Sequence, residues 1–109
     1  MGPRITKPWL PLTADAVGRL PGQLGVYELA DDQGRVLYVG YAGGRSLFGF
    51  RSEIAKHLGG AATRFRYEVN MQYQSRYREL LMRHAADNGD LPEMNRASRP
   101  AHLGRLSQG

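Results

Sequence analysis

Hydrophobic and polar residues follow two different periods along this chain, and the switches between them mark its elements. The clearest period of two runs over residues 63–71. There Phe65, Tyr67, Val69 and Met71 alternate with Arg64, Arg66, Glu68 and Asn70, the pattern of a strand with one buried face. Two earlier strands are predicted at 24–30 and 35–41. They are separated by Asp31-Asp32-Gln33-Gly34, whose Asp/Gly chemistry suits a hairpin loop. Helical spacing appears three times. Thr13 has the character of an N-cap for a short helix over 14–20, stopped by Pro21-Gly22. A second helix is expected over 50–58, ended by Gly59-Gly60. A third is expected over 75–86, with Tyr77, Leu80, Leu81, His84 and Ala85 on one apolar stripe, and Asp87-Asn88-Gly89-Asp90 breaks it. Residues 91–95 read as a loop.

The order strand, strand, helix, strand, helix predicts an α+β fold with a three-stranded, mainly antiparallel sheet flanked by helices. Residues 1–12 hold three of the six prolines and read as an extended lead-in, 13–96 as the domain, and 97–109 as a basic tail. At 109 residues a single domain is expected. No apolar run approaches the length of a membrane span, and the first residues lack the apolar stretch of a signal peptide. Cysteine is absent, which excludes disulfides and thiolate metal sites. A cytoplasmic protein without a membrane partner is the expectation.

Charge adds a partner class. Fifteen basic residues face ten acidic ones, a net charge of +5, and all the basic ones except Lys7 and Lys56 are Arg. A guanidinium grips phosphate oxygens with a planar fork where an ammonium is a point charge. Codon bias in a GC-rich genome explains the Arg excess equally well. The net charge itself favours a polyanionic partner.

The candidate chemistry lies in two short motifs. Gly25-Val26-Tyr27 and Tyr38-Val39-Gly40 flank a ten-residue spacer, and pairing their strands brings two phenols to one edge of a small sheet. Together with Arg51 and His57 in the first main helix, Glu79 in the second, and Asn95 after Pro92, these motifs resemble the signature of the GIY-YIG nuclease superfamily. Val replaces Ile in both motifs, and the resemblance covers roughly residues 20–96. It implies hydrolysis of a phosphodiester, in DNA more than RNA, with one Mg²⁺ or Mn²⁺. On that resemblance Glu79 is the metal ligand, Tyr27 the general base with Tyr38 beside it, and Arg51 the phosphate grip. Arg51 would also supply the positive charge that brings a phenol of pKa about 10 toward neutrality. His57 orients a hydroxyl or contacts phosphate, and Asn95 braces the constellation.

The spacing departs from the family at one place. Arg51 lies eleven residues past Gly40, beyond the usual offset, and Ala55 occupies the position one turn later. Arg45 is therefore a rival phosphate ligand. Each residue also has a plainer reading. Tyr27 and Tyr38 are ordinary strand residues, Glu79 is spaced to pair with Arg83, and His57 suits a helix end. Arg64, Arg66, Arg76, Arg78 and Arg83 either track a nucleic-acid backbone or form a solvated face. The alternative function is a nucleic-acid-binding module without efficient cleavage, or a subunit of a repair or defence assembly.

Overall fold

A computed structural model describes residues 4–97. The expected hairpin forms from β2 (Gly25–Ala30) and β3 (Val36–Ala42), antiparallel, with Tyr27 opposite Gly40 and Leu29 opposite Tyr38. Asp31 organises the turn: its Oδ1 accepts from the backbone N–H groups of Gln33 and Arg35. Gly34 takes φ 79° there, a conformation that a side chain disfavours. β4 (Arg64–Val69) pairs with the other side of β2, which makes β2 a central strand buried at all six positions.

The sheet has four strands rather than three, in the order β1-β4-β2-β3. β1 (Leu10–Pro11) lies inside the supposed lead-in and pairs with β4 at Phe65 and Arg64. Two residues are too few to show a period, and a proline is tolerated on an edge strand that needs no outward donor. The rest of that segment is also anchored. Ile5 is buried against Val26, Val39 and Leu80, Arg4 pairs with Asp87, and the Arg66 guanidinium lies 4.1 Å from the Trp9 ring centroid.

Helices cover both faces of the sheet. α1 (Ala14–Gly18), capped by the Thr13 side chain on Ala16 N–H, and α2 (Phe50–Ala55) pack Val17, Phe50 and Ile54 against Tyr27, Leu29 and Phe65. α3 (Tyr73–Asn88) lays Leu80 on Val26 and Val39 of the opposite face. It begins two residues earlier than expected and ends at Gly89, φ 86°, whose N–H reaches Ala85. The expected loop at 91–95 contains a fourth helix, α4 (Glu93–Ala97). Residues 98–109, nearly all of the expected basic tail, lie outside the described residues.

Because α3 covers the second face, the alternation in β4 does not separate core from solvent as expected. Phe65 is buried, but Val69 and Met71 are exposed. On the nominally polar face Arg66 donates to Glu28 at 2.8 Å, and Glu68 receives Arg76 at 2.8 Å, both at the sheet–helix layer. Among the described residues no helix is long and apolar enough to cross a membrane.

Candidate active site

The glycines of both motifs are steric requirements. The Tyr27 ring crosses β3 directly over Gly40, where a Cβ would sit 2.4 Å from its Cζ. At Gly25 a Cβ would meet the Glu68 carbonyl oxygen at 2.0 Å and Phe50 Cζ at 2.6 Å. The hairpin therefore holds the Tyr27 ring flat across its partner strand and aims the hydroxyl at the β3 edge. Tyr38 lies beside it, with ring centroids 6.1 Å apart.

His57 completes the group. On an ideal helix running past Ala55 it would turn away, but the chain leaves α2 there and continues in turns to Gly59 at φ 80°. The imidazole returns over the tyrosines. Its Nε2 lies 3.2 Å from the Tyr27 hydroxyl, and its ring centroid 4.9 Å from that of Tyr38.

Tyr27 and Tyr38 line one wall of a cleft along the outer edge of β3, with His57 packed against both rings but outside the cleft lining. Tyr41, Tyr73 and Tyr77 form the wall on the other face, and Gly43 to Ser46 run along the rim. Cleft residues not singled out from the sequence include Tyr41, Tyr73 and Gln74 and an ion pair: Glu53, whose Oε2 accepts from Ser46 Oγ at 2.8 Å, and Lys56, 3.2 Å from Glu53. The i, i+3 spacing of Glu53 and Lys56 just before His57 was the available signal for that pair. Arg45 lies on the rim and has no ion-pair partner among the described residues.

Burial sets the protonation states. It is the largest influence on Tyr27 and pushes its phenol far above the ordinary range, reinforced by Tyr38 and Glu53. Tyr38 is raised for the same first reason, with Tyr77 and Glu53 adding to it. Burial also lowers His57, and Glu53 only partly opposes it. Near neutral pH the phenols are protonated and the imidazole is uncharged, and the tautomer of His57 sets which of Tyr27 Oη and His57 Nε2 donates in their hydrogen bond. This corrects the expectation that a neighbouring guanidinium brings Tyr27 toward ionisation.

Arg51 does not reach the cleft. Its Nε donates to the Leu20 carbonyl at 3.3 Å, and its guanidinium lies 5.7 Å from the Phe48 ring centroid. Glu79 is also elsewhere. It is 3.6 Å from Arg76, which is clamped by Glu68 on the sheet face opposite Tyr27. The α3 side chains that line the cleft are Tyr73, Gln74 and Tyr77. Five residues along a helix rotate a side chain by about 140° from Gln74. Among the described residues no group of three or more His, Asp or Glu side chains is placed to hold a metal.

Asn95 is a brace, though not through the cleft side chains. Its Nδ2 donates to the Val39 carbonyl at 2.9 Å and its Oδ1 accepts from Val39 N–H at 2.8 Å. One side chain thus occupies both outward-facing backbone groups of Val39 on the edge strand, as another strand would.

The arginines expected to track a nucleic-acid backbone are mostly neutralised. Arg66 pairs with Glu28, Arg76 with Glu68, and Arg83 with Asp87. The Arg83–Glu79 pair suggested by their spacing does not form, because Arg76 takes Glu79. A search of curated proteins returns no match. Residues 4–87, which run from ahead of β1 through nearly all of α3 and include both motif strands, match the domain of unknown function DUF7508, and the chain belongs to that family.

Proposed function

We propose that this protein binds the sugar-phosphate backbone of nucleic acid, DNA before RNA, in the cleft along β3 and hydrolyses a phosphodiester bond there. The GIY-YIG resemblance implies this activity. The observation that carries the reading is the 3.2 Å contact of His57 with Tyr27, a residue that lines a cleft rimmed by Arg45, which has no ion-pair partner among the described residues. Arg45 and Lys56 grip phosphate oxygens, and the neutral Tyr38 phenol donates to one of them. A water attacks phosphorus as the ester P–O bond breaks, its proton passes through the Tyr27 hydroxyl to His57, and the leaving oxygen takes a proton from solvent. An imidazole that is uncharged near pH 7 is suited to this, whereas a buried phenol is not.

The resemblance also implies Mg²⁺ or Mn²⁺ held by Glu79. Glu79 does not fit that role, because its carboxylate belongs to the Arg76 side of α3 while the amide Gln74 occupies the cleft side. No step is derived through the ion. The same placement, with Arg51 on the Leu20 carbonyl, favours a second reading: a nucleic-acid-binding module with weak or no cleavage, acting within a repair or defence assembly.

Nicking of supercoiled plasmid, with and without Mg²⁺ or Mn²⁺, separates the two. The hydrolase reading expects nicking that falls by about 10²–10⁴-fold in His57→Ala, the usual worth of a general base. It expects a loss in Tyr27→Phe and little change in Glu79→Ala. Salt-sensitive binding without nicking by any form supports the module reading. Failure of the wild type to bind DNA or RNA at low salt refutes both.

A further inference from the structure

We infer that the loop carrying Leu47 and Phe48 is an apolar wedge that enters the base stack of a duplex whose backbone lies in the β3 cleft. This inference rests on the nucleic-acid-binding part of the function proposed above. It assigns the substrate class as double-stranded nucleic acid that is locally unstacked.

Leu47 is 81% exposed and Phe48 52%, adjacent to each other and two residues beyond Arg45. A single exposed Leu is ordinary, but two large apolar side chains held side by side in water on a fixed loop need a partner. The loop is fixed at several points. Ser46 N–H donates to the Gly43 carbonyl, and Ser46 Oγ accepts from Gly43 N–H at 3.2 Å while donating to Glu53. Phe48 N–H reaches Ser52 Oγ at 3.3 Å, and Gly49 N–H reaches the Ser46 carbonyl. Gly49 takes φ 56° and packs so closely on Gly22 and Gln23 that a Cβ would lie 2.3 Å from the Gln23 carbonyl oxygen. No side chain fits there. The loop is therefore pre-ordered, and the two apolar groups are presented rather than left loose.

The surrounding charge selects the partner. Arg45 on one side has no acidic partner among the described residues, and the Arg51 guanidinium lies over the Phe48 ring on the other. An apolar protein surface offers nothing to these guanidinium groups. A duplex offers phosphates to Arg45 and Arg51 and a base step to Leu47 and Phe48. Leu and Phe are among the side chains that wedge between base steps, partly unstacking them and kinking the duplex. The arrangement also gives Arg51 a task, at the wedge instead of the cleft.

The test uses the full chain with a chelator present, so that cleavage does not interfere, and a short DNA duplex with a fluorescent adenine analogue at one internal position. Binding is followed by anisotropy and unstacking by the analogue's fluorescence, with the analogue moved step by step along the duplex. The wild type should bind and raise the fluorescence several-fold at one or two adjacent positions. Leu47→Ala/Phe48→Ala should bind about tenfold more weakly, as expected for loss of a stacking contact, and abolish the rise. Phe48→Trp should retain it. Both positions are exposed, so these variants are expected to fold, and circular dichroism checks that. Wild-type binding with no fluorescence rise at any position overturns the wedge and leaves the proposed function standing. A wild-type dimer in sedimentation that Leu47→Ala/Phe48→Ala dissolves overturns it in favour of a protein contact. No binding to the duplex at low salt overturns the wedge, and the proposed function falls with it only if single-stranded DNA and RNA also fail to bind.

Discussion

Replacing Asn95 with Ala removes a side chain that serves two backbone groups at once. The edge strand β3 turns the N–H and carbonyl of Val39 away from β2, and α4 packs over them. The Asn95 amide bonds both, at 2.8 and 2.9 Å, and Val39 itself is fully buried. A buried donor or acceptor left without a partner costs about 1–3 kcal/mol. Two such groups at this site bring the total to about 2–4 kcal/mol, after allowing for water reaching part of the opened space. That is a large share of the roughly 5–15 kcal/mol that holds a domain of this size together. Urea unfolding of wild type and Asn95→Ala side by side measures the difference, with unchanged m-values confirming two-state behaviour. Asn95→Asp supplies a control with a sign. An ionised carboxylate cannot donate to the Val39 carbonyl, so the folded state favours the protonated acid and raises its pKa above the unfolded value of about 3.9. Stability of Asn95→Asp relative to wild type should be fullest below that value and fall as pH rises through the folded pKa. The Asn95→Ala deficit should show no such trend. A loss below about 0.5 kcal/mol in Asn95→Ala would refute the view that this side chain stands in for a missing strand.

Other consequences are sharper tests of single contacts. The His57 pKa is lowered in the folded state, so the unfolded chain binds more protons as pH falls below about 6.5. Wild-type stability should decline over that range and His57→Gln should flatten the decline; NMR titration of the ring should give a midpoint below the free value. Gly40→Ala forces the Tyr27 ring off β3, and should cost about 1–3 kcal/mol while abolishing the Tyr27–His57 contact, visible as a shift of the His57 ring signals. Arg66→Ala leaves Glu28 charged in a nearly closed site and strips the cover from Trp9. It should destabilise by about 3 kcal/mol and red-shift Trp fluorescence. Glu79→Ala loses only a half-exposed 3.6 Å pair and should change stability by less than about 1 kcal/mol.

Local chemistry made the hairpin legible. Asp31 and Gly34 announce the turn, and the glycines of the two motifs signal places where a ring or backbone comes too close for a side chain. The missed elements were short ones whose stability comes from tertiary contact. β1 exists because β4 offers an edge, and α4 because Asn95 and the fully buried Pro92 dock beside β3. For the site, periodicity tells which side chains share a helix face but not how the helix is rotated about its own axis. Burial of Leu80 and Arg76 sets that rotation for α3, carrying Gln74 to the cleft and Glu79 away. The contact of His57 with the tyrosines was not legible for a related reason, since the expected helix ran on to 58 whereas α2 ends at Ala55 and turns carry His57 back over the rings.

The central claim is that the β3 cleft, with Tyr27 and Tyr38 at its wall, His57 against them and Arg45 on its rim, is where a nucleic-acid backbone sits. The most direct measurement is NMR mapping of the protein titrated with a short DNA duplex in the presence of a chelator. The prediction is that signals of the His57 ring and of Gly43 to Ser46 move together, with the Glu79 side of α3 unaffected and the response lost in Arg45→Ala. Shifts confined to the opposite face, around Arg35 and Arg83, or no shifts at low salt, would contradict it.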